Sequence, residues 1–243
     1  MNKKHHRRIL VIGGNGFLGR RVCSALQKTL SAEVWVGSRH AQGERSVTFH
    51  LEQPQTFAAL GTFDCVVNCA DTSSSSSLAL AQWCWKNGIT FLETTADTKV
   101  LEEIWRWHAA IPKENHGAVL LLGIGLFPGL SNLLAAEHCS SLPSCQQLEV
   151  GVRVSPFSGA GPGICALMVK MAQQNTPCYE AGQRIERAPV SAGMKVPFGN
   201  STHQALQVGL AVDVQHRLVG FMGIRPRPGA QTGGGDQALE FIH

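Results

Sequence analysis

"ILVIGGNGFLGRRV", residues 9–22, joins a short apolar run to an amphipathic segment through Gly13, Gly14, Gly16 and Gly19. An apolar run of this length, closed by glycine, reads as a buried strand. Behind the glycines, Leu18, Val22, Ala25, Leu26 and Leu30 recur at helical spacing, which predicts one helix stripe facing a sheet. Between strand and helix, glycine permits a tight turn and close packing of the two elements. It also lets backbone N–H groups approach an anion, toward which the helix N-terminus turns partial positive charge.

The next hundred residues repeat the alternation. "AEVWVGSR" (32–39), "SVTFHLE" (46–52), "FDCVVNCA" (63–70), "ITFLETT" (89–95) and "GAVLLLGIG" (117–125) read as strands. "SLALAQWCWKNG" (77–88) reads as a helix stopped at Gly88, and "TKVLEEIWRWHAAI" (98–111) as one with Leu101, Ile104, Trp105 and His108 on one side. Strands that are continuously apolar and alternate with helices belong to a parallel sheet covered on both faces. The fold class is therefore α/β, a doubly wound Rossmann sheet in the order 3-2-1-4-5-6, with a smaller α+β second domain. The serine run 73–77 reads as a loop leading into a helix, on the edge where ligands enter such sheets.

Beyond residue 129 the texture changes. "GLSNLLAAEHC" (129–139) and "GPGICALMVKMAQ" (161–173) read as helices, and "QQLEVGVRVS" (146–155) as a strand. "YEAGQRIER" (179–187) and "SAGMKVPFG" (191–199) read as antiparallel strands. We divide the chain into a coenzyme domain at 1–129, an α+β substrate or dimerisation domain at 130–220, and a Gly/Pro-rich tail at 221–243 expected to be poorly ordered.

Composition excludes several classes. In 243 residues, 44% are hydrophobic and 16% charged, and no apolar run reaches the roughly 20 residues of a membrane-spanning helix. The net charge of +4 is mild and concentrated in the opening "MNKKHHRR", with no basic stripe interleaved with aromatics, so nucleic acid is not an expected partner. That opening reads as a solvated lead-in to the first strand and not as a targeting signal. Eight cysteines include no Cys-x-x-Cys pair, which fits a reduced, cytoplasmic protein without structural zinc. The expected partner is a small-molecule substrate, and a homodimer is left open.

Gly14-Asn15-Gly16-Phe17-Leu18-Gly19 is a Gly-x-Gly-x-x-Gly, and Gly13, Gly16 and Gly19 also fit Gly-x-x-Gly-x-x-Gly. Placed between strand and helix, either spacing predicts a dinucleotide pyrophosphate on this turn. The second strand then decides the coenzyme. An NAD site usually carries Asp or Glu about 20 residues past the glycines; here that count reaches Ser38 and Arg39, with no carboxylate between Glu33 and Glu44. A carboxylate about 4 Å away would repel each unit of 2′-phosphate charge by roughly 4 kcal/mol at an effective dielectric of 20. A guanidinium reverses that sign, and Ser38 adds a hydroxyl, so NADP is favoured over NAD. Asn68, Cys69 and Ala70 end the fourth strand, and Thr94 and Thr95 the fifth, where they wall the coenzyme or cap the strands.

Chemistry is less legible. The glycine turn invites comparison with short-chain dehydrogenases, which use Tyr-x-x-x-Lys; the single tyrosine, Tyr179, is followed four residues later by Gln183. Asp97 reads either as an acid/base group or as a helix cap, and Ser131 and Asn132 as nicotinamide contacts or caps. His116 sits at the wrong end of its strand, and His203 has no constellation around it.

"VIGGNGFLGRRV" (11–22), "DCVVNCA" (64–70), "FLETTADT" (91–98) and above all "GIGLFPGLSNLLA" (123–135), in this order, resemble the saccharopine dehydrogenase family in its NADP-binding branch. "VGVRVSPFSGAGPGICALM" (150–168) is similar to the start of that family's second domain, so the resemblance spans roughly residues 8 to 210. It implies an NADP-dependent oxidoreductase acting on a small metabolite by hydride transfer. No acid/base pair here matches a catalytic motif of that family, so no catalytic residue is carried over. The rivals are a non-catalytic NADP-binding sensor or scaffold, and an interaction module with a vestigial nucleotide fold.

Overall fold

The computed structural model describes residues 7–70, 74–111 and 117–141, and beyond these 169, 173, 175–180, 183–188, 191–198, 201–207, 212–213 and 217–218. The described residues fall into two compact units, the first ending at Gly125 and the second opening at Leu126.

In the first unit, β1 (Arg7–Ile12), β2 (Ala32–Ser38), β3 (Ser46–Thr48), β4 (Cys65–Asn68), β5 (Thr90–Glu93) and β6 (Leu120–Leu121) form one sheet in the order β3-β2-β1-β4-β5-β6. Every neighbouring pair is parallel, as the continuous apolar runs predict. Strand β1 shows why. Its alternate residues face opposite layers, Ile9 and Val11 joining Cys23, Val34 and Val67, while Leu10 and Ile12 join the larger core of Phe57, Leu60, Phe91, Leu101 and Ile104. With both faces covered, no polar position survives between Ile9 and Ile12.

The helices are α1 (Phe17–Thr29), α2 (Ser74–Lys86) and α3 (Thr98–Ala110). Three expectations are corrected. First, the α1 stripe is rotated: Gly19 and Cys23 are buried, with Val22 and Leu26 beside them, whereas Leu18, Ala25 and Leu30 are exposed. Gly19 must lie against the Gly13 carbonyl, and that close approach overrides the spacing of larger apolar residues.

Second, the serine run is helix and not loop from Ser74 on; Ser76 and Ser77 are buried in the first turn of α2, where hydrogen bonds replace water. That helix ends as expected, at Gly88 in the left-handed region (φ 71°), with the Ile89 N–H returning to the Cys84 carbonyl. Third, the expected strands 46–52 and 117–125 shrink to β3 and β6, and a run of 3₁₀ turns, Pro54–Thr62, buries Phe57 and Leu60.

In the second unit, a wide π turn at Leu126–Leu130 leads into α4 (Ser131–Ser141). "YEAGQRIER" is not one strand but parts of two, β7 (Thr176–Glu180) paired antiparallel with β8 (Gln183–Arg187). β9 (Ser191–Phe198) pairs antiparallel with β10 (Ser201–Gln207), which was not anticipated, and β11 (Val212–Asp213) pairs with β12 (Arg217–Leu218). The opening residues 1–6, the strand 146–155, nearly all of the helix 161–173, His116 and the tail 221–243 lie outside the described residues. No helix among the described residues is long and apolar enough to cross a membrane.

Candidate functional site

The carboxyl ends of β1, β2, β4 and β5 bring the sequence-selected residues together. Gly13 leaves β1 with φ 72°, a conformation only glycine adopts without strain. Its N–H donates to the Gly37 carbonyl of β2 at 2.9 Å, and a Cβ on it would lie 2.9 Å from the Ala70 nitrogen beyond β4. The turn is thus fixed from both sides, at the point where the strand order reverses. Gly14 packs against Val36.

Gly16 differs from the others. A Cβ there would meet only the Gly13 carbonyl, so its missing side chain leaves open space in front of the helix. Helix α1 starts behind it with no side-chain cap and no acid in its first turn. The N–H groups of Phe17, Leu18 and Gly19 therefore lack intrahelical acceptors, as the first N–H groups of any helix do. Asn15, Phe17 and Leu18 are exposed around this opening, and the Arg21 guanidinium lies 4.0 Å above the Phe17 ring. A cradle of N–H groups, free of side chains and of negative charge, fits a pyrophosphate.

At the end of β2, the Ser38 hydroxyl donates to the His40 carbonyl at 2.8 Å, so its proton is already committed, and Arg39 is exposed. Across the crevice, Asn68 is fully buried: its amide N–H donates to Glu93 at 2.8 Å, and its carbonyl oxygen accepts from the Ala70 N–H at 3.2 Å. Asn68 thus supports the wall from behind. The partly exposed Cys69 and Ala70 stand in front of it, with the Cys69 N–H bonded to the Ile12 carbonyl. The Thr94 hydroxyl donates to the Asn68 backbone carbonyl at 2.7 Å, and Thr95 follows on the β5 side.

Glu93, which no motif in the sequence singles out, is fully buried at the end of β5 directly opposite Asn68. Besides Asn68, its carboxylate accepts from the Thr95 N–H at 3.0 Å and from the Ser77 hydroxyl of α2. Burial pushes its carboxyl above the usual range, against the pull of the Asn68, Thr95 and Ser77 donors. A carboxyl so raised costs stability as pH climbs through the ordinary carboxylate range toward its folded value; below that range it costs nothing. The signal was a lone acid paired in register with a lone amide inside two apolar strands, visible only once β4 and β5 are paired.

The acid/base candidates resolve differently. Asp97 caps α3, accepting from the Lys99 N–H at 3.0 Å. The Asn132 amide oxygen accepts from the Gly129 N–H at 2.9 Å and from the Ser131 hydroxyl at 3.4 Å, so both side chains secure the start of α4. His203 lies on β10. Burial pushes the Cys69 thiol up to about 12, with Thr94 opposing and Cys23 and Glu93 adding to the rise. At pH 8 its thiolate fraction is then on the order of one in ten thousand. Alkylation at Cys69, followed by peptide mapping, should accelerate about tenfold per pH unit through pH 10. Rapid modification at pH 7.5 would contradict this geometry.

No family model matches the sequence, and no curated protein matches it. Solved structures do match. Saccharopine dehydrogenase (L-Glu forming) from Saccharomyces cerevisiae superposes with a TM-score of 0.57 at 12% identity, over 81% of this chain and 48% of that one. A short-chain dehydrogenase/reductase superfamily protein from Agrobacterium tumefaciens, solved with bound NAD, is similar at 16% identity and a TM-score of 0.39, over 48% of each chain. The chain therefore spans about half the length of these structures. The first likeness, with the sheet order, shows the Rossmann fold of NAD(P)-binding proteins.

Proposed function

We propose that this chain binds NADP(H) and is an oxidoreductase of the saccharopine dehydrogenase-like type, acting on a small metabolite. The observation that carries the reading is the uncapped start of α1 behind Gly16, flanked at the β2 exit by Arg39 and by no acid. In this reading, Gly13, Gly14, Gly16 and Gly19 shape the turn, and the backbone of Asn15, Phe17 and Leu18 receives the pyrophosphate. Arg39 holds the 2′-phosphate, with the Ser38 hydroxyl rotating from His40 to join it. Cys69, Ala70, Thr94 and Thr95 face the ribose and nicotinamide, and Asn68 holds that wall in place. Residues 130–220 are the substrate or dimerisation domain. Bound NADPH supplies hydride; the chain's own work is to orient it and exclude water.

A second reading, a non-catalytic NADP sensor, is favoured by one feature of the site. Asp97 is committed to a helix cap, and Cys69 keeps its proton, so neither offers acid/base chemistry at neutral pH. Fluorescence titration is expected to give NADPH at least about tenfold tighter binding than NADH, the equivalent of one charge-assisted hydrogen bond. Turnover on a panel of imino and keto acids separates the readings: oxidation of NADPH supports the enzyme, and tight binding without turnover the sensor. If neither dinucleotide binds, both fail in favour of a vestigial fold.

A further inference from the structure

We infer that Glu93 is a positioning residue for the dinucleotide crevice, acting through Asn68 on the wall that faces the glycine turn. The inference rests on the dinucleotide reading above and adds a residue to it. Three elements meet at one carboxylate: one oxygen takes the Asn68 amide of β4, the other takes the Thr95 N–H beyond β5, and the Ser77 hydroxyl of α2 also donates to it. Each of these elements adjoins the crevice.

The linkage continues outward. The Asn68 carbonyl oxygen fixes the Ala70 N–H, and the Ala70 backbone is what Gly13 packs against, close enough that no Cβ would fit between them. Glu93 thus ties together the β4 exit, the β5 exit and, through Ala70, the opposite side of the phosphate turn. It does this without reaching the ligand, since it has no exposed surface. The Asn68 amide bridges the two: the Ala70 N–H can only donate, so the amide oxygen faces it and the amide nitrogen donates to Glu93. An unpaired Asn68 would be free to flip and release the wall.

The test compares two ligands on the full chain. NADPH needs both walls, whereas 2′,5′-ADP, the adenosine fragment, needs chiefly the β2 exit. Glu93→Gln places an amide among donors and breaks the orientation. It is expected to weaken NADPH about tenfold while leaving 2′,5′-ADP within about twofold. The exchanged pair, Glu93→Gln with Asn68→Asp, restores a donor facing an acceptor and keeps an acceptor for Ala70, so NADPH affinity should return toward the parent value. If Glu93→Gln fails to fold, Asn68→Ala cuts the same linkage and carries the same comparison.

Equal loss for both ligands, no loss for either, or no recovery in the exchanged pair would overturn the inference. Failure of the parent chain to bind either ligand would instead sink the dinucleotide reading and this inference with it.

Discussion

Gly19→Ala is expected to destroy the phosphate turn, whereas Gly16→Ala should leave it folded but poorly able to receive a ligand. A methyl on Gly19 would penetrate the Gly13 carbonyl and stand 2.7 Å from both the Gly13 carbonyl carbon and the Gly14 Cα. All three obstacles are backbone atoms, so no side chain can swing aside and α1 must move off β1. Overpacking of this kind costs about 1–3 kcal/mol and more where backbone shifts. The gain in helix propensity from Gly to Ala, about 1 kcal/mol, is smaller and does not offset it.

The alanine of Gly16→Ala, by contrast, meets only the Gly13 carbonyl, at 3.0 Å, and a few tenths of an ångström relieve that. Urea unfolding should therefore show a loss of about 3 kcal/mol for Gly19→Ala and under about 1 kcal/mol for Gly16→Ala. NADPH affinity should fall in both variants, in Gly16→Ala while the chain is still folded. Equal stability losses for the two variants would refute this division of roles between structure and ligand access.

The same glycines mark how far the sequence could be read. Sheet order was legible because Ile9–Ile12 of β1 and Cys65–Val67 of β4 are continuous apolar runs and the connections alternate with helical spacing. The rotation of α1 was not, because spacing ranks large apolar residues and the decisive contact belongs to a residue without a side chain. Leu18 looked like core and is exposed. The serines of α2 looked like a loop because hydroxyls are soluble in isolation; buried Ser77 is satisfied by Glu93, a partner 16 positions away in sequence.

Glu93 itself was hidden for a related reason. One acid near a strand end reads as an exit to solvent, and only the register that sets it against Asn68 makes it a buried pair. What single-sequence periodicity misses here is consistently a close approach or a polar partner supplied by another element. Cys69, Ala70, Thr94 and Thr95 lie partly exposed at the carboxyl ends of β4 and β5, with Asn68 buried beside them. The hairpin β7–β8 was read as one strand because "YEAGQRIER" contains no strong breaker beyond a single glycine.

Charge at the β2 exit should govern which dinucleotide is preferred. Arg39 is exposed, so its attraction for a 2′-phosphate is screened by solvent and salt, and the gain from a charge-assisted contact belongs near the low end of about 1.5–3 kcal/mol. Arg39→Asp removes that contact and replaces it with repulsion, roughly 4 kcal/mol per unit charge at 4 Å before screening. The two effects act in the same direction on NADPH. NADH, whose 2′-hydroxyl can donate to the new carboxylate, escapes both. The expected result is a fall of at least about a hundredfold in NADPH affinity relative to NADH, larger at low ionic strength than at high. Arg39→Ala should give only the smaller part of that change, since it removes attraction without adding repulsion. A dinucleotide preference unmoved by Arg39→Asp would place the 2′-phosphate elsewhere. The chain would then have to recognise the adenosine end without the β2 exit, where the Ser38 hydroxyl stays on the His40 carbonyl.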